Sequence, residues 1–385
     1  MRQGRGTLLF TLMIFCSVAC TPKQKVDTII KDVRVFDGEE VYEKTNVVIN
    51  KGQIVAIAPD AAKYNAAEII EAYGYTIVPS LIDTHVHISS ENQLRDALSG
   101  GVFTLLDLHS APGVANSLKA YSDSLYFATL LSSGPAITVA GGHGTQFGYK
   151  IPTVSSETDP YTFVKERAEE GADVIKIIRE PMVQSLSYES INALVQSAHQ
   201  LNKVAIAHVS TATDAAKLAE LSVDGFAHVW FDRSITPSEL ELLKQKKPFV
   251  TPTLLATKGL LEYGQKSGRS NQYLSLEEVQ AEVKRLHKAG IVLLAGTDAP
   301  NLNLKFGSDL VEELKLLSAA GLSEVEALKT ATANPVRVYK LDKNSLPAEG
   351  RIANFLLVKG DPTIDLAALN NISRIWKKGR QLNLK

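Results

Sequence analysis

The chain has 385 residues, which is enough for two average domains or for one large α/β barrel with a small appendage. Hydrophobic residues make up 45% of it and charged residues 22%, the balance of a soluble globular protein, and this excludes global disorder. Because 41 basic residues face 42 acidic ones, no general attraction to nucleic acid or another polyanion is expected.

The first twenty residues have the pattern of an export signal. Two arginines precede an apolar run at 8–16, which is much shorter than the roughly 20 residues of a membrane-spanning helix. Ala19 supplies the small residue before a cleavage site, and residues 1–20 resemble a bacterial lipoprotein signal with lipidation at Cys20. We expect an exported, membrane-anchored lipoprotein that faces the periplasm or the cell surface, with residues 21–26 as a tether; a plain secretory signal is the alternative. Since Cys16 is the only other cysteine, the mature domain would have no disulfide and no thiolate ligand.

The two ends of the remaining chain share strand-like text. In residues 27–78, short alternating apolar runs are separated by Gly38 and Gly52, which favours a small antiparallel sheet. Similar runs with glycines between them return in residues 345–385. The simplest topology pairs these two segments, and we predict that they form one small β-sandwich domain.

Residues 79–344 alternate short apolar runs with helical stretches, a pattern typical of βα units around a parallel sheet. Eight strand candidates can be counted from the end of the first segment onward, at 76–83, 102–108, 126–132 leading to 137–140, 174–178, 204–208, 225–231, 249–255 and 291–295. Eight such units predict an α/β fold of the (β/α)8 TIM-barrel type, in which catalytic residues come from the carboxyl ends of the strands. A doubly wound open sheet is the alternative.

Histidines and an aspartate stand at the ends of these strands. His85 and His87 follow the first strand, and alternation along an extended chain directs both side chains to the same side. Each of three further apolar strands also carries a polar, metal-competent residue at or near its end, namely His208, His228 and Asp298. Such a set suits Zn²⁺ or a similar cation, with satisfied core histidines as the alternative. His199 and His287 fall in helical text and are interpreted as solvated or structural.

Lys176 stands alone in an apolar strand, and a buried ammonium is costly unless it is paired or neutralised. A desolvated lysine has a lowered pKa and can react with carbon dioxide, which gives a carbamate whose two oxygens can bridge two cations. The alternative is an ordinary ion pair with Asp173 or Glu180.

The order of these residues resembles the amidohydrolase superfamily: His-x-His after strand one, lysine on strand four, histidine on strands five and six, and aspartate on strand eight. Residues 79–87 and 296–298 are close to the usual text of that superfamily. Within it the chain is most similar to the imidazolonepropionase-like and prolidase-like branch, in which 171–177 resembles the strand of the carboxylated lysine and 141–144 a loop that contacts substrate. The likeness extends over about residues 27 to 380.

The resemblance implies a site with two divalent cations, preferentially Zn²⁺, although a single-metal site stays open. His85, His87 and Asp298 would hold one cation and His208 and His228 the other, with carboxylated Lys176 between them. A metal-bound hydroxide would then attack the substrate. Asp298 would move the proton to the leaving group, and His143 would hydrogen-bond the substrate carbonyl.

The implied reaction is hydrolysis of carbon–nitrogen bonds in small molecules such as dipeptides, N-acyl amino acids or cyclic amides. Arg179, Tyr149 and Tyr188 are candidates, by position only, to bind a substrate carboxylate. Ester or phosphotriester hydrolysis at the same centre is one alternative, and a solute-binding surface lipoprotein with an inactive barrel is another. A homo-oligomer stays open.

Two segments depart from the text of the superfamily. Residues 106–109 read Leu-Asp-Leu-His where a Val-Arg-Asp sequence is usual, which puts substrate contacts there in doubt. Trp230 and Phe231 lie shortly after His228, where a small residue is usual, and this predicts a narrower or more aromatic pocket.

Overall fold

The computed structural model describes residues 23–266 and 273–382. The predicted signal peptide and the lipidation site at Cys20 lie outside these residues. The β-strands are β1 (Gln24–Phe36), β2 (Val41–Asn50), β3 (Gln53–Ala58), β4 (Tyr64–Glu71), β5 (Tyr75–Pro79), β6 (Leu81–Val86), β7 (Val102–Asp107), β8 (Thr129–Ser132), β9 (Ile175–Ile178), β10 (Ala205–His208), β11 (Gly225–Ala227), β12 (Phe249–Thr251), β13 (Phe355–Lys359), β14 (Ile372–Lys377) and β15 (Arg380–Leu382).

The α-helices mostly lie between or after the parallel strands, from β6 onward. They are α1 (Glu91–Ser99), α2 (Val114–Lys119), α3 (Pro160–Glu169), α4 (Tyr188–Gln200), α5 (Ala212–Glu220), α6 (Pro237–Lys246), α7 (Leu254–Lys266), α8 (Leu276–Lys288), α9 (Ser308–Ala319), α10 (Glu324–Thr330) and α11 (Ala333–Val338). Several begin at a serine or threonine that caps the helix together with a glutamate three residues later, as at Thr236 and Glu239 in α6. Local sequence therefore sets where these helices start.

One sheet joins the two ends of the chain. Its strand order is β15-β14-β13-β5-β1-β2-β3, and β4 also pairs with β1. The junction is antiparallel pairing of β13 with β5, for example Leu356 with Val78. Apolar side chains from both ends, including Ile54, Phe355 and Trp376, form a buried cluster on this sheet. The expected pairing of the ends is present, and hydrogen bonds join their strands into one eight-stranded sheet.

The middle of the chain carries two parallel sheets, β6-β7-β8 and β9-β10-β11-β12. All four residues of β9 are buried, as are those of β11 and β12, which is the expected pattern where helices cover a parallel sheet. The predicted α/β class is therefore confirmed. Among the described residues, four single parallel bridges lie outside the named strands, at Ile137 with Ile177, Val139 with Val154, Val250 with Leu293, and Val86 with Ala299.

The predicted strand at 291–295 is the main local difference. This segment forms a bridge through Leu293 and backbone hydrogen bonds, but it contains no regular strand in the part of the chain described. The strand β11 also ends at Ala227, because His228 adopts a left-handed backbone that interrupts the extended chain. Among the residues described, no helix combines the length and the apolar character required to span a bilayer.

Candidate metal centre

The carboxyl ends of the parallel strands open into one cavity of about 400 Å³, a size typical of small-molecule sites. Seven side chains singled out from the sequence line it: His85, His87, His143, Lys176, His208, His228 and Asp298. The rings of His85 and His228 have centroids 4.7 Å apart, and those of His208 and His228 are 4.8 Å apart. The cavity therefore gathers imidazoles that are distant in sequence.

Unusual backbone conformations aim two of these side chains. His228 (φ 73°) and Asp298 (φ 66°) both occupy the left-handed region, which residues other than glycine rarely adopt. Close packing beside the cavity is equally demanding, since a Cβ atom on Gly296 would lie 2.8 Å from the Cβ of His85 and 2.6 Å from Thr251 Cγ2. Such constraints cluster at functional sites, because the surrounding structure must hold them in place.

Three histidines each direct one ring nitrogen at a hydrogen-bond acceptor outside the histidine cluster. His87 Nδ1 donates to the backbone carbonyl of His109 (3.0 Å), and His208 Nε2 faces the Glu180 carboxylate (3.3 Å). His228 Nδ1 lies 2.7 Å from Thr253 Oγ1, whose own hydrogen is donated to the Pro252 carbonyl. In His208 and His228 the other nitrogen is left with its lone pair free, which is how outer partners orient metal-ligating histidines.

Lys176 forms no hydrogen bond or ion pair with any residue that the structure describes. Its side chain is 3% exposed, and among the described residues its buried Nζ makes no hydrogen bond. Both ion pairs considered as alternatives are absent, because Asp173 pairs with Lys119 (2.6 Å) and Glu180 faces His208. Burial lowers the pKa of Lys176 to about 7, so the uncharged, reactive amine is accessible near neutral pH.

The donor atoms of the cavity are suited to a divalent cation. The ligand atoms of His85, His228 and Asp298 lie within 4.8 Å of one another, and the buried Nδ1 of His85 has no partner among the described residues. Burial lowers the pKa of His85 and of His228 well below the usual histidine value, which keeps both rings in the neutral form that binds metal. Imidazole nitrogens with a carboxylate suit Zn²⁺ and similar divalent ions.

Asp298 contacts two of these rings. Its Oδ1 lies 2.9 Å from His87 Nε2 and 3.4 Å from His85 Nε2, and it accepts a hydrogen bond from Asn301 Nδ2 (3.0 Å). Burial opposes a charge on His87, but the hydrogen bond to Asp298 and the negative charges of Asp298 and Asp107 together outweigh it and raise the His87 pKa. The carboxylate is thus fixed at the edge of the histidine cluster.

His143 lies across the cavity, with its ring centroid 4.8 Å from that of His208. Burial lowers its pKa to about 4, so the ring is neutral at physiological pH. Gln146 accepts from the Gly144 amide through Oε1 (2.7 Å), which turns its Nε2 toward His143 Nδ1 at 3.5 Å. His143 Nδ1 therefore accepts, and Nε2–H is left as a donor.

The candidates for binding a substrate carboxylate do not line the cavity. Arg179 is engaged with Asp214 (2.8 Å) and with the Leu186 carbonyl (2.9 Å), and Tyr188 donates to the same aspartate. Tyr149 stacks beside His109 and Phe147, outside the cavity wall. This geometry argues against an anion-binding role for the Arg179 guanidinium.

Four further aromatic residues were considered from the sequence. His199 pairs with Asp224 and His287 with Glu326, both away from the cavity, in accord with a structural interpretation. Trp230 is fully buried and donates to Glu282 (3.2 Å), so it does not narrow the pocket. Phe231 does line the cavity and supplies the aromatic wall.

Two ionisable residues that line the cavity were not singled out from the sequence as site residues. His109 accepts from the Ala136 amide through Nδ1 (3.0 Å) and donates through Nε2 to the Gly144 carbonyl (3.0 Å), which holds the loop of His143. For Glu180, burial alone would raise the pKa, but the hydrogen bonds from His208 and from the Met182 amide outweigh it and lower the pKa to about 2. Both follow strand ends, so the argument used for the histidines could have found them.

Thr253→Val should weaken metal binding by roughly 10- to 100-fold, because the variant removes the acceptor that orients His228. The measurement is a competitive metal titration with a chromogenic chelator. Thr332→Val is the matched control, since that buried hydroxyl also donates to a backbone carbonyl (2.7 Å) but orients no histidine. Equal metal affinity in the two variants would contradict the role given to Thr253.

Comparison with known proteins agrees with this geometry. The amidohydrolase family model matches residues 76–382. The chain is 23% identical to a dihydroorotase of Streptococcus pneumoniae, over 84% of this chain and 88% of the relative, and 23% identical to an adenine deaminase of Lysinibacillus sphaericus, over 94% and 58%. It therefore spans less than two thirds of that deaminase.

The structures give the same result at the level of the fold. A Xaa-Pro dipeptidase with methionine in its active site superposes with a TM-score of 0.79 at 20% identity, over 92% of this chain and 99% of the other. With the family model matching most of its length, this chain belongs to the amidohydrolase family.

Proposed function

We propose that the protein is a metal-dependent hydrolase that cleaves carbon–nitrogen bonds of amide type in small molecules. The observation that carries the proposal is the buried Lys176 amine, which has no hydrogen-bond partner among the described residues. It lies in a cavity lined by histidines that neighbouring residues orient. The relatives named a dihydroorotase, a deaminase and a dipeptidase support the bond type, since each of those names refers to a carbon–nitrogen bond.

The residues would divide the work as follows. His85, His87, His208, His228, Asp298 and a carboxylated Lys176 would hold two divalent cations, preferentially Zn²⁺. When bound, such cations supply Lewis acidity toward a carbonyl oxygen and make water more acidic. Within the protein, the Asp298 carboxylate accepts a proton from the attacking water and returns it to the leaving nitrogen. The His143 Nε2–H donates to the substrate carbonyl oxygen.

We also propose that the two parallel sheets close into a single (β/α)8 barrel. Three of the single parallel bridges support this, because they link the segment after β8 to β9 through Ile137, β12 to the 291–295 segment through Leu293, and β6 to Ala299. Backbone hydrogen bonds from Thr84 to Ala295 and from Asp298 to His85 join the same two segments. The cavity would then lie at the carboxyl ends of the barrel strands, the usual place for active sites in this fold.

A chelator experiment on the full chain tests the proposal. Purified protein is analysed for bound metal, then assayed with dipeptides, N-acyl amino acids, cyclic amides and p-nitrophenyl esters before and after chelation. We expect turnover of at least one amide that disappears with chelator and returns with Zn²⁺. Turnover of esters alone would favour an esterase, whereas solute binding with no chelator-sensitive turnover would favour a binding lipoprotein.

The predicted export signal leads to a proposal about location. We propose that the mature chain is attached to a membrane through lipid on Cys20 and works outside the cytoplasm, since residues 1–20 have a lipoprotein-like pattern.

A further inference from the structure

A second carboxylate faces the cavity besides Asp298. Glu180 lies two residues beyond the end of β9, and its side chain is 14% exposed and lines the cavity. Its Oε1 accepts from the Met182 amide (3.0 Å), and its Oε2 lies 3.3 Å from His208 Nε2. Each carboxylate oxygen can accept two hydrogen bonds, so both have acceptor capacity left for a ligand.

Among the described residues, no lysine or arginine forms an ion pair with this carboxylate. Its two donors are a backbone amide and a histidine ring. Among the residues that the structure describes, Lys176 is the only lysine or arginine lining the cavity, and its Nζ is buried. The adjacent Arg179 is held by Asp214 and the Leu186 carbonyl. A partly buried carboxylate without a cation favours a ligand that brings one, and it repels a second carboxylate.

The outer part of the cavity is apolar. Phe147, Phe231, Leu260 and Leu302 line it. Phe147, Leu260 and Leu302 are also more than 40% exposed, so they lie at the mouth of the cavity. When no substrate is bound, water contacts these apolar side chains. Displacing that water with an apolar group is favourable, and these walls offer no donor to a charged one.

From these features, and resting on the function proposed above, we propose that Glu180 selects substrates by charge. It binds a protonated amine next to the scissile amide, accepts a neutral group there and rejects a carboxylate, while the apolar body of the substrate fills the outer cavity. The substrate class is thus an apolar amide with a free amino group, and not an N-acyl amino acid that presents a free carboxylate to Glu180.

A matched series of anilides tests this charge preference on the full, metal-loaded chain. L-leucine 4-nitroanilide, N-acetyl-L-leucine 4-nitroanilide and N-succinyl-L-leucine 4-nitroanilide share the scissile bond and the apolar side chain but present an amine, a neutral amide and a carboxylate. We expect kcat/KM to decrease in that order, with about 10- to 100-fold between the amine and the carboxylate. Fastest cleavage of the succinyl compound would overturn the proposal.

Glu180→Gln links the preference to this residue. The variant should lose most of the discrimination, because the amine compound becomes slower while the succinyl compound does not. Asp214→Asn is the control, since that carboxylate lies behind Arg179 and outside the cavity. If Glu180 only orients His208, all three substrates will slow equally and bound metal will fall, and that outcome rejects the proposal. Metal content and thermal unfolding are measured for each variant.

The outcome is separable from that of the proposed function. If none of the three anilides is cleaved, their binding to metal-loaded protein is measured by calorimetry, and the same order of affinity is expected. Equal or absent binding of the three would reject selection by Glu180 even if other amides are hydrolysed. The proposed function itself fails only if no amide in the wider panel shows chelator-sensitive turnover.

Discussion

Replacing Lys176 by methionine should abolish most of the activity without destabilising the fold. Methionine keeps the length and apolar stem of the side chain but cannot form a carbamate, so the two cation sites would lose their bridge. Loss of several kcal/mol of transition-state stabilisation corresponds to a decrease in kcat/KM of about 10³-fold or more. Because the buried Nζ has no hydrogen-bond partner among the described residues, removing it should leave the free energy of unfolding unchanged or higher.

Two measurements test this prediction, one of metal content and one of stability. Metal analysis should show that Lys176→Met contains one cation or none, and chemical denaturation of the metal-free proteins should show no loss of stability. Lys258→Met is the control, since that side chain is exposed on α7. Wild-type metal content in Lys176→Met would remove the bridging carbamate from the proposal, whatever happens to activity.

The position of the cavity could be predicted from the sequence because the polar residues that line it stand at the ends of predicted strands. Apolar runs that end in His, Lys or Asp are visible in the text, and parallel strands bring their carboxyl ends to one edge. The same reasoning does not reveal which residues orient them. Thr253 supports His228 from the next strand connection, and His109 supports His87 through a backbone carbonyl, and neither contact leaves a pattern in the sequence.

In the segment after β9, closeness to a strand end did not distinguish side chains that face the cavity from those that face away. Alternation in an extended chain sends Lys176, Ile178 and Glu180 to one side, and all three line the cavity. Arg179 belongs to the other side and meets Asp214. Closeness to a strand end suggested Arg179 as a substrate contact, whereas the period of two favours Glu180. The left-handed backbone at His228 and Asp298, in contrast, depends on tertiary packing and could not be predicted.

Asp298→Asn should lower kcat by roughly 10²- to 10⁴-fold, the range for loss of a general acid–base group. Asparagine keeps the size of the side chain and can still face the ring nitrogens of His85 and His87, but it cannot take up a proton. KM should change much less than kcat, because the substrate is held by other walls of the cavity. Steady-state kinetics at saturating Zn²⁺, with metal content measured in parallel, give both quantities.

The comparison separates two roles of this carboxylate. If Asp298 served only as a metal ligand, excess Zn²⁺ would restore the turnover of Asp298→Asn along with its metal content. We expect turnover to stay low when the metal content is wild type, because proton transfer is then still missing. Asp309→Asn, at the start of α9 and outside the cavity, is the control for replacing an aspartate by asparagine. Full recovery at high Zn²⁺ would assign the proton transfer to another group, and His143 would be the next residue to replace by mutagenesis.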